Sequence, residues 1–217
     1  MMAANILPEI LKFVAPVAWI LAAYLLGSIP QAWLLGKWLS SQALRRLGSG
    51  YVGGTNAALS LTHWVGLIVF LCEIVKGVLA VWVPRQMNAG EMDVYLCMLA
   101  LVAGIRWPVW SNFKGRHGHS AGMAAFALIS YPAAAAVLSF WVLVRLLLND
   151  TFKATRLAVL AMPFIAGMVT RSWLFFGAIL ALSIIYLTGD QTWIQQQWAS
   201  PRGSNSRSGD NTPARRN

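Results

Sequence analysis

Two stretches of this chain have residue types suited to holding an anion. Leu47–Asn56 reads LGSGYVGGTN, and Arg106–Ser120 reads RWPVWSNFKGRHGHS. Successive glycines let backbone N–H groups converge into a concave nest that accepts negative charge. Thr55 or Asn56 could cap a following helix and turn its positive end toward the same anion. In the second stretch, Lys114-Gly115-Arg116-His117-Gly118 joins two cations and a histidine to two glycines, a composition suited to phosphate. The spacing G-x-x-x-x-G-K-[ST] is absent, so this is not a nucleotide P-loop. Either loop alone reads more readily as a tight turn or a basic topology signal. The two together on one side of the chain favour an anion site. His117 and His119 are candidates for proton transfer or phosphate contact, with ordinary loop histidines as the alternative.

Glu73 and Lys76 lie three residues apart inside an apolar run. At that spacing they share a helix face and can neutralise each other. Ionisable groups at such depth point to function by default, and a structural ion pair holding helices together is the competing reading. His63, near the start of the same run, reads as an interfacial or packing histidine. Cys72 and Cys97 have no metal or disulfide spacing and read as small buried hydrophobes. No serine-hydrolase elbow, HExxH pair or two-cysteine metal motif occurs, so neither a metal nor another cofactor is expected. An enzyme built this way positions substrates rather than supplying a nucleophile.

The elements that must position these loops are membrane helices. Of 217 residues, 58% are hydrophobic and 11% charged, against about 25% charged in soluble domains. The formal charge of +10 suits cytoplasmic loops facing anionic headgroups. Nucleic acid is not expected, because no basic stripe interleaves with aromatics. Apolar runs predict spans over Phe13–Leu35, Leu61–Val83, Val94–Ile105, Ser120–Ser130, Ala133–Leu148, Thr155–Thr170 and Ser172–Thr188. The first is too long for a signal-peptide core and reads as a retained span. Pro132 marks a break between the fourth and fifth. The expected fold is an all-α integral membrane bundle of seven helices, several short or broken, as around a cavity. With alternating loops, thirteen Lys and Arg fall on one side and three (Lys12, Arg85, Arg171) on the other. That bias places the N-terminus outside and the C-terminus in the cytoplasm. Residues 1–190 form the membrane domain. Residues 191–217 form a cytoplasmic tail, disordered in expectation from about Ala199.

Four motifs in order carry a family resemblance. They are Gly27-Ser28-Ile29-Pro30, Gly48-Ser49-Gly50-x-x-Gly53-x-Thr55-Asn56, Glu73-x-x-Lys76-Gly77, and Trp107-Pro108-x-x-x-x-Phe113-Lys114-Gly115-x-x-Gly118. Together they resemble the PlsY family of bacterial inner-membrane, acyl-phosphate-dependent glycerol-3-phosphate acyltransferases. The resemblance implies transfer of a fatty acyl group from acyl-phosphate to the 1-hydroxyl of glycerol-3-phosphate, giving lysophosphatidic acid for phospholipid synthesis. It implies a site with Ser49 as a catalytic residue and with Gly50, Gly53, Thr55, Asn56, Lys114, Gly115 and Gly118 binding phosphate and substrate. The chain's own residue types add His117 as a second catalytic candidate, Arg116 as a phosphate-binding cation, and Glu73 and Lys76 in support. The resemblance implies no metal and no acyl-enzyme. The partners would be the two substrates, membrane lipids and an upstream enzyme that forms acyl-phosphate.

The chain departs from the family pattern at defined positions. Tyr51 replaces an Asn, Leu59 stands where a substrate-binding Arg is usual, and Ile105 replaces a His. Arg116 and His117 stand for Gly and Lys. At the end of the last helix, Asp190 and Gln191 stand where the family has Glu and Asn, and the preceding His and Arg are gone. Thr151 or Thr155 is the candidate for the family's hydroxyl before the sixth helix. A charge-assisted bond to phosphate contributes about 1.5–3 kcal/mol, so Leu59 predicts at least about tenfold weaker binding at that point. Arg116 and His117 could restore part of the charge. The alternative is a family member without catalysis that binds lipid or anion beside another membrane enzyme. A small-anion transporter using Glu73 and Lys76 is a third reading.

Overall fold

The computed structural model describes residues 3–31, 34, 63–113, 115 and 118–188. Among them are seven α-helices and no strand. They are α1 (Ala3–Ser28), α2 (His63–Gln86), α3 (Glu91–Arg106), α4 (His119–Ile129), α5 (Tyr131–Leu148), α6 (Thr151–Thr170) and α7 (Trp173–Thr188), with a 3-10 turn at Val109–Ser111. The seven expected spans correspond to these one for one. The tail beyond Thr188 lies outside the described residues.

Local chemistry explains where the boundaries differ from expectation. The first helix stops at Ser28, not Leu35, because Pro30 follows and disfavours helix in the residue before it. Pro132 leaves no gap: it sits in the first turn of α5, where a missing N–H costs no intrahelical bond. The break itself falls on Ser130, which is extended at φ −147° and ψ 93°. α6 starts four residues earlier than expected because the Asp150 carboxylate accepts from the N–H groups of Phe152 and Lys153, at 2.9 and 3.1 Å. The backbone bond from Lys153 is the largest of the causes that hold the Asp150 carboxyl below its ordinary range.

By length and composition, α2 (over Gly66–Gln86), α5 and α6 can each cross a membrane. α4 has 11 residues, a rise of about 16 Å against a hydrocarbon core of about 30 Å. The outer surface is apolar: Leu146, Leu147, Met168 and Trp173 are 74–87% exposed. Inside, Met98, Phe126, Phe175, Ile179 and Leu182 are fully buried or nearly so. Phe126 stacks on Phe175 with centroids 5.8 Å apart.

Small residues set the helix crossings, as expected where lipid supplies no hydrophobic drive between helices. α1 crosses α3 backbone to backbone. A Cβ on Gly27 would overlap the Leu101 carbonyl oxygen, and one on Gly104 would overlap that of Tyr24. α2 lies along α4, with Gly77 against Ala121, and Arg85 Nη1 donates to the Leu128 carbonyl at 2.7 Å. Arg106 Nη2 donates to the Thr188 carbonyl at 3.3 Å and ties the C-terminal ends of α3 and α7. Arg145 Nε donates to Thr151 Oγ1 at 2.9 Å across the α5–α6 turn. The Arg106 and Arg145 contacts lie at the end of the bundle where α1, α3, α5 and α7 finish and α2, α4 and α6 begin, and the Arg85 contact lies at the opposite end, where α2 and α4 finish. Both glycine-rich loops are entered from the first of these ends.

Candidate active site

Of the residues expected in the site, Gly115, Gly118, Glu73 and Lys76 are described. Ser49, Gly50, Gly53, Thr55, Asn56, Lys114, Arg116 and His117 lie outside the described residues, as do Tyr51, Leu59, Asp190 and Gln191.

The second loop leaves α3 at Trp107 and folds back over its C-terminal end. The Trp107 carbonyl accepts from Tyr24 Oη at 2.7 Å, which joins the loop's start to α1. Gly115 then lies directly on α3: a Cβ there would overlap the carbonyl oxygens of Ile105 and Arg106 and crowd the Pro108 ring. Gly118 has φ +66° and packs on the Ile105 side chain. That left-handed conformation favours glycine. Both glycines therefore have a packing reason to be there besides any amide they offer a ligand. Ile105 is 5% exposed and is part of a buried apolar cluster with Leu101 and Ala121.

Gly118 is also the N-cap of α4, and it offers no side-chain bond to the helix's first N–H groups. Those amides, and the positive end of the helix dipole, face the loop end of the bundle. His119 opens α4, with its ring 4.3 Å from that of Tyr186 on α7. Tyr186 is buried, its hydroxyl donates to the Gly118 carbonyl at 3.5 Å, and it occupies the space a Cβ on Gly122 would need. Composition did not single out Tyr186. Its position two residues before the end of the last apolar run was the available signal.

Beside His119 and Tyr186 is a cavity of about 300 Å³ between α4, α5, α6 and α7. Met123, Val137, Leu138, Ala158, Val159 and Met162 make most of its wall apolar. Trp141 and Thr155 add a polar edge, with Trp141 Nε1 donating to Thr155 Oγ1 at 3.0 Å. Thr155 Oγ1 in turn donates to the Thr151 carbonyl at 2.8 Å. Of the two candidate hydroxyls, Thr155 is thus the one in the cavity wall. Thr151 accepts from Arg145 in the turn.

Glu73 and Lys76 are both buried on α2. Lys76 Nζ donates to the Ile29 carbonyl at 2.6 Å and to Gln31 Oε1. Those partners lie just past the C-terminal end of α1. Lys76 therefore ties that end to α2, beyond any charge it shares with Glu73. Replacing Lys76 with Met leaves the Ile29 carbonyl without its donor. A bond to a charged donor contributes about 1.5–3 kcal/mol, so a fall of several degrees in the melting temperature of the detergent-solubilised protein is expected. An unchanged melting temperature would show that the tie carries no load.

A family model described as glycerol-3-phosphate acyltransferase matches residues 17–195. A glycerol-3-phosphate acyltransferase of Prochlorococcus marinus (strain MIT 9301) is 30% identical over 171 residues, covering 77% of this chain and 87% of the relative. One from Parasynechococcus marenigrum (strain WH8102) is 30% identical over 185 residues, covering 85% and 86%. The fold is similar to crystal structures of PlsY, an integral membrane glycerol 3-phosphate acyltransferase. The glycerol 3-phosphate form gives a TM-score of 0.74 at 22% identity, covering 85% of this chain and 92% of that one. The lysophosphatidic acid form gives 0.73 at 21% identity. The protein is thus an all-helical, multi-pass membrane protein, and it belongs to the glycerol-3-phosphate acyltransferase family.

Proposed function

We propose that this protein transfers a fatty acyl group from acyl-phosphate to the 1-hydroxyl of glycerol-3-phosphate, releasing lysophosphatidic acid and orthophosphate. One juxtaposition supports this reading best: the apolar cavity is lined by His119, which follows Gly118 at the end of the glycine-basic loop, and by Tyr186, which donates to the Gly118 carbonyl. An acyl-phosphate has the same two parts, an apolar chain and an anionic head. The chain would lie along Met123, Val159 and Met162, with the head held by the loop amides and Lys114.

In this reading the acceptor's hydroxyl oxygen attacks the acyl carbonyl carbon, and the carbon–oxygen bond to phosphate breaks. The hydroxyl proton passes to His117, and Ser49 hydrogen-bonds the reacting groups. Gly50, Gly53, Thr55 and Asn56 of the first loop would hold one phosphate. Lys114, Gly115, Arg116 and Gly118 of the second would hold the other. Catalysis would come from positioning and charge stabilisation, with no acyl-enzyme and no cofactor. The site would face the cytoplasm of a bacterial inner membrane, with the N-terminus outside, so that a partner enzyme could deliver acyl-phosphate from that side.

The purified protein, given acyl-phosphate and glycerol-3-phosphate, should form lysophosphatidic acid well above a Ser49→Ala control. Equal background from both proteins would overturn the reading. It would favour a non-catalytic anion- or lipid-binding relative, which the buried, non-titrating Ile105 already suits.

A further inference from the structure

We infer that the cavity beside His119 and Tyr186 reads only the half of the acyl chain nearest the head, and that the rest leaves past Leu138 into the bilayer. The inference rests on the acyltransferase reading above and adds to it which part of the donor the protein selects.

The cavity wall is built in levels. At the loop end of the bundle its rim carries His119, Trp141, Thr155 and Tyr186. One to two turns deeper lie Met123 on α4, Val137 on α5 and Met162 on α6. The next turn of each helix brings Phe126, Ala133 and Ala166, which are fully buried in the core and do not line the cavity. Met123, Val137 and Met162 are therefore its floor. Seven residues of helix from Thr155 to Met162 rise about 10 Å. An extended chain advances about 1.2 Å per bond, so about eight carbons reach from rim to floor. Over that depth the cavity of about 300 Å³ is about 30 Å² across, close to the section of one extended chain whose neighbours lie about 5 Å away.

A longer chain has a way out at the side. Leu138 is 54% exposed, while the wall residues Val137, Ala158, Val159 and Met162 are buried. Because Leu138 follows Val137, the cavity opens at the level of its floor. Val142, one turn along α5, continues the exposed apolar face. Beyond that opening the distal carbons meet lipid tails as apolar as the wall itself, so nothing there discriminates between chains. Inside, an added methyl must displace side chains packed into the core. The competing reading is a plain packing gap that takes no chain, and such a gap would not respond to where a chain is branched.

The test gives the full-length protein in detergent hexadecanoyl phosphate and its 6-methyl and 14-methyl forms. The two branched donors have equal apolar area, so they partition alike into detergent. The 6-methyl donor should lose about tenfold or more in kcat/KM, the size expected when a methyl is forced into a packed wall. The 14-methyl donor should match the unbranched one. Met162→Ala makes room at the floor and should recover much of the 6-methyl loss. Leu138→Trp adds bulk at an exposed position and should lower the ratio of hexadecanoyl to octanoyl turnover severalfold. Equal losses from both branches would overturn the inference, and so would a Leu138→Trp protein with an unchanged ratio. If Met162→Ala does not fold, the wild-type comparison and Leu138→Trp still decide. If the wild type makes no lysophosphatidic acid, the acyltransferase reading fails by itself. The unreactive hexadecyl phosphate and its 6-methyl and 14-methyl forms then decide by melting temperature, which a ligand of the folded state raises. The 6-methyl compound alone should lose most of that rise. No rise from any of the three, or the same rise from all, would overturn the inference.

Discussion

Replacing Gly115 with alanine is expected to cut turnover about 100-fold, with little change in melting temperature. The methyl group would overlap the Ile105 and Arg106 carbonyl oxygens and crowd the Pro108 ring. All three belong to a helix end or its proline exit and cannot rotate aside. The loop must therefore lift, carrying the neighbouring Lys114 and Arg116 with it. A displacement of about 1 Å in a positioned group is enough to cost about 100-fold in rate. Gly115 lies outside the helices, so the bundle should keep its stability. The check is kcat/KM and melting temperature measured side by side. Normal turnover would show that this loop does not hold a substrate. A large fall in melting temperature would show that its packing matters to the fold as well.

The second large effect is on stability. Gly104→Leu should destabilise the protein by more than about 3 kcal/mol, the upper end for ordinary overpacking, against a typical total of about 5–15 kcal/mol. Ordinary overpacking is relieved by side chains that shift. At Gly104 the obstacle is the Tyr24 carbonyl and the Ser28 nitrogen of α1. Only separation of α1 from α3 would make room, and that would also pull Tyr24 Oη from the Trp107 carbonyl. Loss of folded protein in detergent is the expected result. Gly177→Ala is the matched control, because its added methyl meets nothing within 4 Å. It should gain about 0.5–1 kcal/mol from better helix propensity. If Gly104→Leu purified as well as Gly177→Ala, the close crossing would not be a stabilising contact.

The helical pattern was legible because it is local. Apolar run length alone separated seven helices, and each one is present. The boundaries moved where a single side chain competes with the pattern. Pro30 ends α1 early, Asp150 starts α6 early, and Pro132 opens a helix rather than breaking one. The glycines were legible as loop chemistry but not as packing. Gly115 and Gly118 drew notice for backbone amides, whereas their fit over Ile105, Arg106 and Pro108 depends on where the loop folds back. Lys76 was legible as a costly intramembrane charge. Its bond to Ile29, 47 residues away, was not.

By itself, then, the sequence determined the membrane class, the seven helices, the family and the anion-seeking composition of two loops. These follow from run length, charge count and motif order, which neighbouring residues carry without help from the rest of the chain. The tertiary structure alone decided which residues share the loop end of the bundle. It joined Arg106 to Thr188, set His119 against Tyr186, and opened an apolar cavity beside Gly118. Contacts between residues 68–82 positions apart depend on how the helices cross. Those crossings are set by which small residues let two backbones touch, a property of pairs of helices that no single segment contains.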